Sequence, residues 1–345
     1  MQNGEKAMRS SQIYSKNRKT VIIYIFAATL FLVAAYLGFI KGSVKISLFS
    51  ALKEYKNGVM TPDATIFLYS RLPRTLASLS VGAALSVSGA VIQNVLSNKL
   101  ASPSIIGVNS GAGLAVTICA FYGIYGGFLL SAFSFAGAFV AVLILSLASK
   151  KIGLGKGTVI LMGVALNALF GAFSDCLISF NPSLSLMTTD FKIGDFSAVT
   201  YEKLIPGMVI ISLCIFLLFI FSNRLDALSL GDERAKSLGI NPGSSRILFL
   251  LFASLLAGCA VSLAGLISFV GLMVPHAIRH MGLTDSKNLL PLSALIGGGF
   301  VTISDTFSRI AFAPYEIPVG IIMAFLGVPF FIFILADKKG GEKIA

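Results

Sequence analysis

Ten stretches of this chain are apolar over lengths that a soluble domain rarely needs. They run near 20–40, 72–95, 104–122, 128–149, 157–179, 204–222, 246–265, 267–281, 290–307 and 317–336. A helix rises about 1.5 Å per residue, so about 20 apolar residues cross the roughly 30 Å hydrocarbon layer of a bilayer. An unpaired peptide group is expensive there, and helices satisfy their own backbones. The pattern predicts an all-α polytopic membrane protein of about ten transmembrane helices. One membrane unit is expected over 20–336, with short tails at 1–19 and 337–345. The run at 267–281 is the shortest and contains Pro275.

The balance of residues agrees with a membrane unit, because 56% of the chain is hydrophobic and only 12% is charged. A net charge of +12 on a soluble protein would suggest nucleic acid. Here it fits Lys and Arg gathered on the cytoplasmic side of the spans. With the N-terminus inside, ten spans put both termini in the cytoplasm, and basic residues favour the inner segments by about two to one. The loop at 41–71 runs against this bias. The first apolar run follows a basic tail without a convincing cleavage site, so it is expected to stay as a span. The four cysteines lie singly within apolar runs and form no CxxC pair, which argues for packing roles and no metal site.

Laid on itself with an offset of 176 residues, the chain aligns GAALSVSG at 82–89 with GCAVSLAG at 258–265. In a ten-span topology the two copies run in opposite directions, as in the inverted repeats of many transporters. Their small residues let helices approach closely.

The polar island Arg224 to Arg246 (224–246) interrupts the apolar second half. Ser229 and Asp232 resemble a helix start, Gly239 and Pro242 a stop. A helix over 230–238 would carry Gly231, Ala235 and Leu238 on one stripe, flanked by Asp232, Glu233, Arg234 and Lys236. About ten residues make a marginal helix in water, so membrane headgroups or a groove on a soluble partner must hold it. Periodicity does not separate the two.

Four blocks carry a family resemblance: RLPRTLASLSVGAALSVSGAVIQNVLSNKLASPSIIGVNSGAG (71–113), LGDERAKSLGI (230–240), SFVGLMVPHAIRH (268–280) and EIPVGIIMAFLGVPFFIFIL (316–335). In this order they resemble the FecCD family, the permease subunits of type II ABC importers for ferric siderophores, haem and cobalamin. The resemblance implies a ten-span subunit paired with a second copy or a homologue, two ATP-binding subunits below it and a substrate-binding lipoprotein above it. It makes the island the coupling helix that sits in a cleft of the ATPase, with Leu230, Gly231, Asp232, Glu233, Arg234, Ala235, Leu238 and Gly239 at the contact. The nearest approach to a phosphate-binding loop, GLGKGT at 153–158, has its glycine misplaced after Lys156. ATP and Mg are thus expected on the partner, with no cofactor bound by this chain and no catalysis of its own.

Arg71, Arg74 and Arg309 fall at one end of their spans. They can be read as snorkelling anchors, or as forks that pair with carboxylates. In the resembled family such positions dock the binding protein. Asn98 and Leu100 match the family's Asn-Pro-Leu cytoplasmic gate, with Lys99 in place of Pro, and a second gate falls at Lys156 and Gly157. Gln93, Asn94, Asn109 and Asn167 are polar groups at membrane depth, candidates for lining the pathway or for bonding helices together. His276 and His280 have metal-compatible spacing but no third ligand; Pro275 is expected to break its span, with His276 satisfying the freed carbonyls. The resemblance implies a short outer helix within 188–200, although the family's usual Trp is missing here.

The resemblance implies inward transport of an iron chelate by alternating access, with haem or cobalamin as the alternative cargo of the same machine. An ion-gradient carrier would need a carboxylate at mid-span, and an intramembrane enzyme a catalytic pair deep in the spans. Asp175 and Asp305 lie near span ends, and no HExxH is present.

Overall fold

The computed structural model describes residues 2–47, 53–58, 60–152 and 156–341. Among these there is no strand. Helix α1 (Gln2–Ile40) is followed by α2 (Pro62–Ile66), a π turn (Phe67–Arg71) and α3 (Leu72–Leu96), then by α4 (Val108–Phe121), α5 (Gly127–Ile152) and α6 (Lys156–Phe180). The short α7 (Leu184–Ile193) leads into α8 (Tyr201–Ile220), and α9 (Ser222–Ser229) and α10 (Asp232–Ser237) form the island. Next come α11 (Pro242–Ala264), α12 (Val270–His280), α13 (Ser286–Ile310) and α14 (Val319–Gly341).

Local signals explain several starts. Thr61 accepts a hydrogen bond from the Ala64 amide with Pro62 next in line, and Asn241 does the same for Ser244 ahead of Pro242. Both pairs combine a side-chain cap with a residue whose missing N–H is no loss in a first turn. Pro73 cannot donate back into the preceding turn, and the five residues before Leu72 widen into the π turn.

Each of the ten apolar runs holds a helix. Seven helical stretches among the described residues are long and apolar enough to cross a membrane, while Val108–Phe121 and the apolar part of α14, Val319–Phe333, are shorter. Helix α12 has 11 residues, about 16 Å of rise. The segment 265–269 before it is not helical and supplies most of the remaining depth. Contrary to expectation, Pro275 does not break α12, which runs through it from Val270 to His280. The shortness arises upstream, where Phe269 sits at φ +68°. That left-handed conformation is costly for a bulky residue, and its ring lies where a side chain at Gly327 of α14 would go.

The buried axis is α3, packed between α11 and α13. Ordinary side chains would keep these helices apart. A Cβ at Gly82 would fall 2.2 Å from the Gly297 carbonyl oxygen, and one at Gly89 would fall 1.9 Å from that of Gly271. The small positions of the first repeat copy are therefore where α3 closes on α13 and α12. The Ser88 hydroxyl donates to the Ala253 carbonyl, joining α3 to the helix that carries the second copy.

Contacts at helix ends fix the directions. The end of α1 and the starts of α3 and α8 meet the ends of α11 and α13 at one face. The end of α3, the end of α12 and the start of α13 meet the island at the other. Helices α3 and α11 are antiparallel, as an inverted repeat requires.

Candidate functional site

The first face is closed by an ion cluster. Arg74 lies 2.9 Å from Asp305, 2.6 Å from Glu316 and 3.5 Å from Asp195. Arg309, one turn after Asp305 on α13, reaches the other Asp305 oxygen at 2.8 Å and also donates to the Gly38 carbonyl. Arg71 donates to the carbonyls of Ile40 and Val44. The three arginines are only 3%, 5% and 2% exposed. This corrects the expectation of three arginines offered to a docking partner. Their charges are spent inside the chain, because a guanidinium at this depth needs a carboxylate or carbonyl within reach. Asp305 is fully buried between two of them, so it is structural.

The outer helix expected within 188–200 is α7, displaced toward the N-terminus and ended by Gly194 at φ +77°. It sets Asp195 beside Arg74.

At the opposite face the island takes a form that differs in detail from the sequence expectation. Ser229 does not start the second helix; its hydroxyl donates to the Asp226 carbonyl and closes α9. Gly231, at φ +104°, makes the corner between the two short helices, and α10 has six residues. The stop is as expected. Gly239, at φ +76°, donates to Lys236 and Ile240 donates to Ala235, a paired closure that uses the last free carbonyls.

The anticipated apolar stripe divides in two. Ala235 is fully buried together with Leu225 and Leu228 of α9, while Leu230 and Leu238 are 54% and 62% exposed. Asp232, Glu233, Arg234, Lys236 and Gly239 are also exposed. Two polar contacts pin the island: Arg246 holds both Asp232 oxygens within 3.0 Å, and the Asp226 carboxylate accepts from the Ser286 amide at 2.9 Å, capping α13 from another element.

The polar residues at membrane depth are all engaged. Gln93 donates to the Gly271 carbonyl at 3.0 Å. Pro275 has no N–H to offer that oxygen four residues back, so Gln93 fills the role assigned in the sequence to His276. The His276 ring instead packs edge-on to Phe330. Arg279 donates to the oxygens of Gln93 and Asn94, and Asn94 donates to the Ser286 hydroxyl. Asn167 donates to the carbonyls of Ser104 and Ile105 and accepts from Ser110, while Asn109 donates to the Ser104 hydroxyl. Gln93 and Asn94 are buried and bond helix to helix; Asn109 and Asn167 are half-buried around the link before α4.

Of the expected gate residues, Asn98 turns its oxygen back onto the Leu100 amide at 2.9 Å. Gly157 is exposed at the start of α6, and the Lys156 side chain lies outside the described residues. Asp226, Ser286, Asp195 and Glu316 were not anticipated. The i, i+4 spacing of Asp305 and Arg309 was a usable signal for the ion cluster; the partners of Asp226 and Glu316 have no local signature.

A bundle with short and discontinuous helices, one end sealed by charge and the other carrying a pinned polar island, defines a multi-pass transport permease. The FecCD transport family matches residues 29–337. The chain belongs to this family and is an ABC importer permease of that type. It is 39% identical over 273 residues to the vitamin B12 import system permease protein BtuC of Yersinia enterocolitica, covering 78% of this chain and 81% of that one. It is 36% identical over 286 residues to the uncharacterized ABC transporter permease protein YvrB of Bacillus subtilis, covering 81% of each. Among solved structures, one described as an inward-facing conformation of a metal-chelate type ABC transporter superposes with a TM-score of 0.80 at 29% identity, over 92% of this chain and 99% of that one. PsaBC from Streptococcus pneumoniae in complex with Fab gives a TM-score of 0.58 at 17% identity, over 78% of this chain and 92% of that one, a likeness of fold.

Proposed function

We propose that this chain carries an iron chelate, a ferric siderophore, inward across the cell membrane. Two ATP-binding subunits would drive it from the cytoplasmic side, a substrate-binding lipoprotein would deliver the cargo, and a second permease copy or a homologue would complete the path. The observation that carries the proposal is the island. Leu230 and Leu238 are exposed amid charges on a backbone pinned by Arg246 and Asp226. Apolar side chains held in a fixed geometry on a polar surface suit a groove on a partner. A chain without a phosphate-binding loop needs such a partner.

In this scheme ATP binding closes the ATPase pair, the island is displaced, and the bundle reorients. Direction comes from the different affinity of each partner for the two states. Because Arg71, Arg74 and Arg309 are enclosed, docking of the binding protein falls to more exposed groups of that face, with Asp195 and Glu316 partly accessible.

The metal-chelate transporter of similar fold supports an iron chelate. The relatives named for vitamin B12 import favour a second reading, cobalamin, itself a metal chelate. Uptake by the complete assembly in vesicles, with labelled ferric siderophore and labelled cobalamin offered separately, decides between them. ATP-dependent accumulation of the siderophore is expected. Accumulation of cobalamin alone would replace this cargo, and uptake by the permease without any ATPase would overturn the mechanism.

A further inference from the structure

The hydrogen bonds at the island end form one unbroken series. Asp226 of α9 accepts from the Ser286 amide at 2.9 Å, and the Ser286 hydroxyl accepts from Asn94 at 3.1 Å. Asn94 accepts from Arg279 at 2.9 Å, Arg279 also donates to Gln93, and Gln93 donates to Gly271 at 3.0 Å. The series starts on the island and ends on the carbonyl that Pro275 leaves free in the short helix α12. It crosses α13 and α3 on the way.

Two properties separate this arrangement from ordinary bonding between helices. Its polarity is fixed throughout: Arg279 has only donors, so both amides must turn their oxygens toward it and their nitrogens away. No member can be reoriented without unpairing the next. The series also ends on α12, whose 11 residues do not span the bilayer and whose first turn lies against α3 where Gly89 meets Gly271. A displacement of α9 would thus be passed, bond by bond, to a helix shorter than the bilayer is thick.

We propose that this series transmits the movement of the island to α12, and that Asp226, Ser286 and Asn94 are positioning residues for transport. The inference rests on the reading of 222–246 as the ATPase seat. Contiguity alone does not establish coupling, so the test must read coupling itself.

The complete assembly of permease, ATPase and binding protein is reconstituted in vesicles with Asp226→Ala, Ser286→Ala, the double variant, or Asp226→Asn. Transport per ATP hydrolysed, and stimulation of ATP hydrolysis by the binding protein, should each fall about ten-fold in the alanine variants, within the usual range of coupling between sites. ATPase co-purification and unstimulated hydrolysis should persist in Ser286→Ala, whose backbone amide still reaches Asp226 and keeps the island pinned. The double variant should be no worse than either single one, because a serial link is broken only once. Asp226→Asn retains an oxygen for the Ser286 amide and should remain coupled.

Unchanged coupling in the alanine variants, or losses that multiply in the double variant, would overturn the proposal. Failure of Ser286→Ala to assemble counts against it too, since a folding role would then account for the bonds. The stimulation readout keeps the test separate from the ATPase seat: a wild-type chain that binds no ATPase would refute the seat instead.

Discussion

At the face closed by Arg74, Asp305 and Arg309 the bundle is held by ion pairs between helices, whereas at the other face α3, α12 and α13 are joined by amides, backbone groups and the Arg279 guanidinium, the Arg246–Asp232 pair lying within the island. Both sets cross the same helices, α3 and α13, near opposite ends. The difference lies in what an exchange of partners costs. Separating a buried ion pair leaves an uncompensated charge, at about 3–5 kcal/mol. A single hydrogen bond that finds another partner gives up only about 0.5–1.5 kcal/mol net. A bundle that rocks between two states would keep its charged end fixed and move the other, which places the pivot of the proposed cycle at the ion cluster and the stroke at the island.

The strongest way to break this contrast is to remove the centre of the charged end. Asp305→Ala takes from Arg309 its carboxylate and from Arg74 one of three, both arginines being almost fully enclosed, and should destabilise the permease by about 3–5 kcal/mol. Asp305→Asn should be nearly as harmful, because it keeps the volume but not the charge. Yield of folded protein from membranes and thermal unfolding in detergent measure both. A melting temperature close to that of wild type would show that the cluster is dispensable. Reversal of Arg71, Arg74 and Arg309 to Glu consequently tests the fold before it tests docking.

The island end should tolerate more. Gln93→Leu leaves the Gly271 carbonyl without a donor and Arg279 with one acceptor fewer, a loss of about 1–3 kcal/mol. Pro275→Ala in that background restores the backbone N–H four residues after Gly271 and should return part of the stability. The two substitutions are coupled through one oxygen, so their effects should not add. Additive losses in thermal unfolding would mean that Gln93 is not the substitute for the missing N–H.

These two regions also show where the sequence was legible. Span number and helix type follow from apolar run length, which depends on local composition alone. The stop at Gly239 was readable for the same reason, since a left-handed residue followed by Pro242 is a local signal. The arginines were misread because span ends give depth along the membrane normal but not the direction in which a side chain points. Arg74 finds Asp305 at a separation of 231 residues, and nothing near Arg74 announces that partner. Gln93 illustrates a partial reading: Pro275 predicts a carbonyl in need of a donor, but only the approach of Gly89 to Gly271 decides that the donor comes from α3 and not from His276. The island is a polar helical interruption as the sequence pattern suggested, yet its two-helix form depends on Gly231 at a positive φ, where the pattern had pointed to one helix over 230–238.

The mildest substitution sharpens the comparison most, because it separates holding the fold from holding a partner. Leu238 is exposed and makes no polar contact that the island needs, so Leu238→Asp should change stability by no more than about 0.5 kcal/mol. A carboxylate in an apolar partner groove would nevertheless be desolvated without a counter-ion, so ATPase co-purification should be lost from a permease that melts like wild type. Ala235→Asp would not serve, since Ala235 lies in the buried cluster with Leu225 and Leu228 and its loss would unfold the island. Retained co-purification with Leu238→Asp, at unchanged melting temperature, would move the ATPase contact off this face of the island and leave the exposed leucines to the headgroups.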